Sequence, residues 1–336
     1  MNTHKTPILT LSLLAAASLL SAQPSITSHY NFQIIDHPGA FYTFPLGVND
    51  HGVVAGFFGD FTGVNHGFLW KNGAFIAVID FPGAAQTPGA GTDTGGITNR
   101  GDVVGTYIGT DGFQHGFKMT SPEGCGNDSH PNCQPVFTNI DVPGAAQTQG
   151  IVFEFGFGLG TSAMGISNNG AITGMYATNG LYSNAFMLSH GRFMPIDSPS
   201  ASHLPGDGTK CFSINDNGAM ACDYVTQSSS AAPQFTHGFM YDDGRVTPIF
   251  VAGSEAGGFG TQVNGINASK RVVGTFTNPT GALAGLVWDR GDYFTLNYPG
   301  SPFTELHSIN ARGSITGAYA TDPFGQDVHG FIALPK

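Results

Sequence analysis

The hydrophobic positions of this chain recur on a short fixed scale. Six apolar anchors, Val48, Ile97, Ile166, Ile214, Ile266 and Ile309, sit in a Gly-Ile-Asn-like context, and ten residues beyond each stands an aromatic: Phe58, Tyr107, Tyr176, Tyr224, Phe276 and Tyr319. Eight residues beyond the anchor stands Gly56, Gly105, Gly174, Gly274 or Gly317, and only the fourth copy differs, with Cys222. The intervening turns, such as Asn49-Asp50-His51-Gly52 and Asn168-Asn169-Gly170, hold residues that accept the positive φ of a tight two-strand connection. Each phrase therefore predicts a β-hairpin.

A third strand follows each hairpin, at His66-Gly67-Phe68, His115-Gly116-Phe117, Asn184-Ala185-Phe186, His237-Gly238-Phe239, Ala284-Gly285-Leu286 and His329-Gly330-Phe331. A fourth alternates apolar and polar residues into an Asp-x-Pro-Gly turn, as at Asp80 before Pro82-Gly83 and at Asp141-Val142-Pro143-Gly144. Pro then Gly at the centre predicts a type II turn. Four short strands per repeat, with anchors 43 to 69 residues apart, predict propeller blades rather than a solenoid. The chain ends on a third strand, His329 to Ile332, while Tyr30 to Gly39 reads as a fourth strand without a preceding hairpin. The two ends should complete one blade and remove the exposed edges of an open array. The expected fold is all-β, a six-bladed β-propeller of four-stranded blades forming one domain over residues 23–336.

Residues 1–22 carry Lys5, an apolar run from Ile8 to Leu20 and a small residue at Ala22, the pattern of a secretory signal peptide too short to anchor in a bilayer. A secreted or periplasmic location without membrane insertion is expected. The cysteines agree. Cys211 and Cys222 flank one hairpin turn symmetrically and predict a cross-strand bridge, while Cys125 and Cys133 bracket an inserted loop and predict a loop-closing disulfide. A metal site at that loop would need more soft ligands than His130 supplies.

Charged residues make up only 10% of the chain and the net charge is −11, without a basic stripe, which excludes a nucleic-acid binder. There is no Asp-x-Asp-x-Asp run for calcium, and no metal or cofactor is assigned.

In its Gly-Ile-Asn hairpins, His-Gly-Phe strands and Ile-Asp-x-Pro-Gly turns the chain resembles the HAF family of extracellular bacterial repeats, over nearly all of Tyr30 to Lys336. The resemblance implies secretion and repetition and supplies no catalytic residues. Most copies read His-Gly-Phe instead of His-Ala-Phe, and Ala284-Gly285-Leu286 lacks both the His and the Phe.

Residues present in every repeat do one job in every repeat. His66, His115, His237 and His329, with Asp36, Asp80, Asp141 and Asp197, are therefore assigned to the scaffold, tying loops and turns. Function is sought where repeats differ, on the face carrying the longer links from strand two to three and from strand four to the next strand one. Four residues before the anchors, that face holds Phe44, Asp93, Ser162, Lys210, Gln262 and Glu305. The ligand-binding candidates are Asp93, Glu154, Phe155, His203, Lys210, Glu305 and His307. Glu154 and Phe155 belong to an aromatic-rich link, Ile151 to Gly158, and Tyr42, Phe61, Tyr182, Phe303 and Phe324 are expected exposed on the same face. Aromatics over polar loops suit sugar faces. The reading is a secreted binding module for a polysaccharide or another cell-surface ligand, leaning against enzymatic activity. The alternatives are a glycan-active lyase or hydrolase using Asp93, Glu305, His307 and Lys210 at the channel mouth, and a structural or matrix protein with protein partners.

Overall fold

The computed structural model describes residues 23–120, 134–146, 160–227, 232–322 and 325–336. A short 3-10 turn, Thr27–His29, leads into β1 (Tyr30–Ile35). The first repeat forms β2 (Tyr42–Val48), β3 (Val54–Gly59), β4 (Asn65–Lys71) and β5 (Ala74–Ile79). The second forms β6 (Thr92–Ile97), β7 (Val103–Ile108), β8 (Gln114–Thr120) and β9 (Val136–Ile140), and the third β10 (Thr161–Ile166), β11 (Ile172–Ala177), β12 (Ser183–Ser189) and β13 (Arg192–Ile196). The fourth forms β14 (Thr209–Ile214), β15 (Met220–Thr226), β16 (Phe235–Asp242) and β17 (Arg245–Ile249). A four-residue helix, α1 (Ser254–Gly257), precedes β18 (Gly260–Ile266), β19 (Val272–Thr277), β20 (Leu283–Asp289) and β21 (Asp292–Thr295). The last repeat supplies β22 (Phe303–Ile309), β23 (Ile315–Ala320) and β24 (Val328–Pro335).

Strands pair antiparallel within each repeat, and β1 pairs with β24 from Tyr30↔Pro335 to Ile35↔Gly330, completing the sheet β1-β24-β23-β22. The innermost strands β2, β6, β10, β14, β18 and β22 pack each against the next and β22 against β2, a closed circuit. The architecture is an all-β propeller. Among the described residues its sheets number five, not the separate one per repeat expected, because a parallel contact between β16 and β18 merges two repeats into one eight-stranded sheet. Three other junctions carry only a single parallel bridge there, Asn65↔Gly91, Gln114↔Gly160 and Ser183↔Gly208.

The recurrent third-strand position is the core of each repeat. Phe68, Phe117, Phe186, Phe239, Leu286 and Phe331 are all fully buried, so Leu286 takes over the burial where the Phe is lost. The residue after the Asp in the Asp-x-Pro-Gly turn stacks on the recurrent aromatic of the next repeat, as in Phe81 on Tyr107 at 3.8 Å and His37 on Phe58 at 3.7 Å, and Tyr298, after Asn297, does the same on Tyr319 at 3.6 Å. The turn is the expected type II, with Gly39 at φ +84° and Ala40 N–H donating to His37 O.

The hairpin turns depart from the expected chemistry. Asn49 does not adopt positive φ; only Gly52 does, at +72°. Asn49 Oδ1 instead accepts the amides of His51 and Val53, each at 3.0 Å, and its Nδ2 donates to Thr98 O of the next repeat. Asn215, Asn267 and Asn310 repeat this, donating to Asn267 O, Asn310 O and Asn49 O. Asn99 N–H donates to Asn168 Oδ1, and Asn168 N–H to Asp216 Oδ1, so the six turns form a closed hydrogen-bonded ring.

The recurrent glycines exist for close approach. A Cβ on Gly56 would collide with Phe44 O, and one on Gly317 with Glu305 O, each across its own hairpin. Cys222, the exception, lies opposite Cys211 in the β14–β15 ladder, and the two form the predicted disulfide. The pair Cys125 and Cys133 lies outside the described residues. Replacing both Cys211 and Cys222 by Ala is expected to lower stability by roughly 2–3 kcal/mol, the loop-closure value for a ring of about a dozen residues. Denaturant unfolding of the double variant checks it, and an unchanged midpoint would count against a structural role for the bridge.

Candidate functional site

A β-bulge in every innermost strand shapes the axis. In β2 the pairing passes from Pro45↔Gly56 to Gly47↔Ala55, leaving Leu46 unpaired. The same skip isolates Met164, Phe212, Asn264 and His307. A bulge redirects its extra residue, and these five side chains line an axial cavity of about 100 Å³ whose other wall is the ring of hairpin turns. Asn264 Nδ2 donates to Leu306 O at 2.9 Å, and His307 Nδ1 lies 3.0 Å from Pro45 O, the equivalent carbonyl one repeat on. His307 is thus buried and engaged with a bulge carbonyl while it lines the cavity.

Two residues nearer the loop-rich face lie Phe44, Asp93, Ser162, Lys210, Gln262 and Glu305, at one equivalent position of six adjacent strands. Asn65 Nδ2 donates to Asp93 Oδ1 at 2.8 Å, and Tyr42 Oη donates to Asn65 Oδ1 at 2.7 Å. Burial pushes the Asp93 carboxyl up to about 7, against the opposing Asn65 hydrogen bond. Glu305 Oε2 lies 3.5 Å from His307 Nε2. Lys210 faces Asp223, its partner across the β14–β15 hairpin. Asp223 is only 1% exposed and neither carboxylate oxygen makes a hydrogen bond. Burial pushes it up to about 6, opposed chiefly by the nearby Lys210 charge.

Asp93, Lys210 and Glu305 therefore share one ring position, as expected, yet no ion pair joins any two of them among the described residues. His203 does not reach this mouth. Its Nε2 lies 2.9 Å from Asp197 Oδ2 and its ring meets Tyr182 edge-on, so it holds the turn carboxylate that Asn184, standing in the His position, leaves unclaimed. Glu154, Phe155 and Phe324 lie outside the described residues. Of the expected exposed aromatics, Phe61 is 71% exposed, whereas Tyr42, Tyr182 and Phe303 are half-buried. Phe41, 63% exposed, forms an edge-on pair with Phe61 at 5.3 Å and went unnoticed in the sequence. Asp223 was missed too; the signal was a lone acidic residue in an otherwise apolar second strand.

The repeating His and Asp behave as scaffold. His66 Nδ1 lies 2.8 Å from Asp80 and its Nε2 3.6 Å from Asp60; His115 bridges Asp141 and Asp111, and His329 bridges Asp36 and Asp327. Each ring also stacks on its recurrent aromatic, at 5.0 to 5.3 Å. Hydrogen bonds from Thr62 and Val64 hold the Asp60 carboxyl down near 2. A second recurrent device was overlooked, a Thr five residues before every anchor. Thr43, Thr92, Thr161, Thr209, Thr261 and Thr304 are buried, and each Oγ1 accepts a backbone N–H from the preceding turn at 2.9 to 3.1 Å. Among the described residues no cluster of His, Cys, Asp and Glu is arranged to hold a metal ion, and no helix is long and apolar enough to cross a membrane.

No protein-family model and no curated protein matches the chain. Solved structures are similar in fold. A mutant of AofleA from Arthrobotrys oligospora is 12% identical, with 88% of this chain and 87% of that one covered and a TM-score of 0.50. A mutant Aleuria aurantia lectin in complex with α-methyl-L-fucoside is 12% identical over 87% and 88%, with a TM-score of 0.46. At this identity the likeness to the AofleA mutant concerns the fold alone, and it agrees with the all-β propeller seen here.

Proposed function

We propose that this protein is a secreted binding module that recognises a polysaccharide through its loop-rich face. The observation that carries the reading is the end of the first repeat, where the exposed Phe41–Phe61 pair stands beside the hydrogen-bonded Tyr42–Asn65–Asp93 chain. Exposed aromatic edges with nearby carboxylate and amide groups suit the apolar face and the hydroxyls of a sugar ring. The reading includes six functional blades, with the eight-stranded sheet counted as two, export by the N-terminal segment, and kinship with HAF repeats. The buried Cys211–Cys222 bridge supports an oxidising compartment.

Retention on insoluble polysaccharides tests it. Phe41→Ala and Phe61→Ala together, on an exposed pair, are expected to abolish retention while leaving the melting temperature within about 2 °C. Unchanged retention on every glycan that the parent binds would remove this face from consideration. A glycan-active enzyme is the second reading: burial pushes the Asp93 carboxyl up to about 7, so that it exchanges its proton near neutral pH, as a general acid or base must. Product mass spectrometry on the same polysaccharides decides between turnover and binding alone.

A further inference from the structure

The channel mouth is chemically divided. β2 packs between β22 and β6, so Phe44 is flanked at the equivalent ring position by Glu305 on one side and Asp93 on the other. Lys210, the only cation at this position, belongs to the fourth repeat, across the ring from the first. Phe44 stacks on Phe57 at 5.3 Å and 24°, and Tyr42 leans on both, at 5.6 and 6.2 Å. The aromatic group is tied to both acids: to Asp93 through Asn65, and to Glu305 through His307, whose ring lies 6.1 Å from Phe44. These contacts fix the three rings and leave Asp93 Oδ2 and Glu305 Oε1 without a protein partner among the described residues. No lysine or arginine there pairs with either acid. All three ring-position side chains are half-buried, so a group seated there meets aromatic faces on one side and the open oxygens of two carboxyl groups beside them.

Aromatic faces attract cations through the ring quadrupole, and flanking carboxyl oxygens accept hydrogen bonds from the cation, charge-assisted wherever the acid is ionised. A neutral sugar hydroxyl gains neither fully, and an anionic sugar would be repelled. We propose that the sector formed by Tyr42, Phe44, Phe57, Asp93 and Glu305 seats a cationic nitrogen, which makes the recognised glycan a polymer of amino sugars with free amines. This rests on the reading of the loop-rich face as a polysaccharide site and specifies its substrate class.

The test is calorimetric titration of the full mature chain with three probes: a glucosamine oligomer, the same oligomer N-acetylated, and choline chloride. Binding of the free-amine oligomer, at least about tenfold weaker when N-acetylated and several-fold weaker at raised salt, is the expected result. Glu305→Gln, isosteric and neutral, should weaken it about tenfold, and Phe44→Leu likewise, with melting temperatures reported for both. Equal affinity for the acetylated oligomer, or no effect of Glu305→Gln in a variant that melts like the parent, would overturn the cation seat while leaving the polysaccharide reading standing. Binding of choline without either oligomer would instead overturn the polysaccharide reading, and the amino-sugar assignment with it.

Discussion

Gly165→Val is expected to destabilise the protein by about 3 kcal/mol or more and to broaden its thermal transition. Gly165 sits at the bulge of β10, where that strand meets β14. A Cβ there would lie 2.8 Å from Ser213 Cα and 2.9 Å from Phe212 O, both backbone atoms of the neighbouring innermost strand. Neither can rotate aside, so the added carbon must push two repeats apart at the narrowest radius of the ring. Valine adds two methyl groups to that displacement. Gly96 and Gly265 make the same approach to the strands that follow them, so displacement at one contact is passed around a closed circuit. Differential scanning calorimetry checks this, and a parent-like transition for Gly165→Val would show that the innermost strands can separate freely.

Asp223→Asn is expected to flatten the fall in stability that the parent shows between pH 4 and pH 8. The folded carboxyl of Asp223 is pushed up to about 6, above its ordinary value of 3.8. Below 3.8 both folded and unfolded states hold the proton, and the group contributes no pH dependence. Between 3.8 and about 6 the unfolded chain ionises while the folded one does not, so stability falls as pH rises. Above 6 the loss is complete, roughly 3 kcal/mol for a shift of about two pH units at this fully buried site. Asparagine cannot ionise. The variant should match or slightly trail the parent at pH 4 and exceed it by about 1–2 kcal/mol at pH 8, the remainder offset by its own buried amide. Chemical denaturation at the two pH values provides the measurement, and a constant difference between parent and variant would disprove the assignment. Asp93 acts with the same sign at its half-buried site. The Asp60 carboxyl acts oppositely, contributing stability above 3.8 that is lost as pH falls towards 2.

Much of this molecule was legible in its repeats, since a position used six times announces its role six times. The anchors, the third-strand core and the Asp-x-Pro-Gly turns fell into register by counting alone, and the closure of β1 on β24 followed from which strand type stood at each end. Leu286 shows the limit of motif matching: the Phe is gone but the burial persists, because packing asks for apolar volume and not for a particular residue. The Thr before each anchor was equally invariant and still went unread, because one buried hydroxyl has no periodic signature until its turn amide is seen. At the bulge, Gly47, Gly96, Gly165 and Gly265 alternate with Ser213 and Ser308, so the sequence shows no rule there although the strand spacing imposes one on Gly165.

Single-copy residues were the hardest to place. His203 and His307 both read as mouth residues; in the structure His203 replaces a missing clasp on Asp197, and His307 lies against a bulge carbonyl and beside Glu305. By itself the sequence determined the all-β class, the repeat, the closing strand, the Cys211–Cys222 bridge and the common ring position of Asp93, Lys210 and Glu305, because each follows from local spacing along the chain. Only the tertiary structure decided which acids stand unpaired, that Asp223 is buried without a hydrogen bond, that the turns join in a ring and that two repeats merge at the β16–β18 contact. Those properties depend on neighbours brought together from separate stretches of chain, from Thr236 beside Gly260 at the β16–β18 contact to Asn310 beside Asn49 in the ring of turns, and burial and pairing are set by what the fold brings alongside.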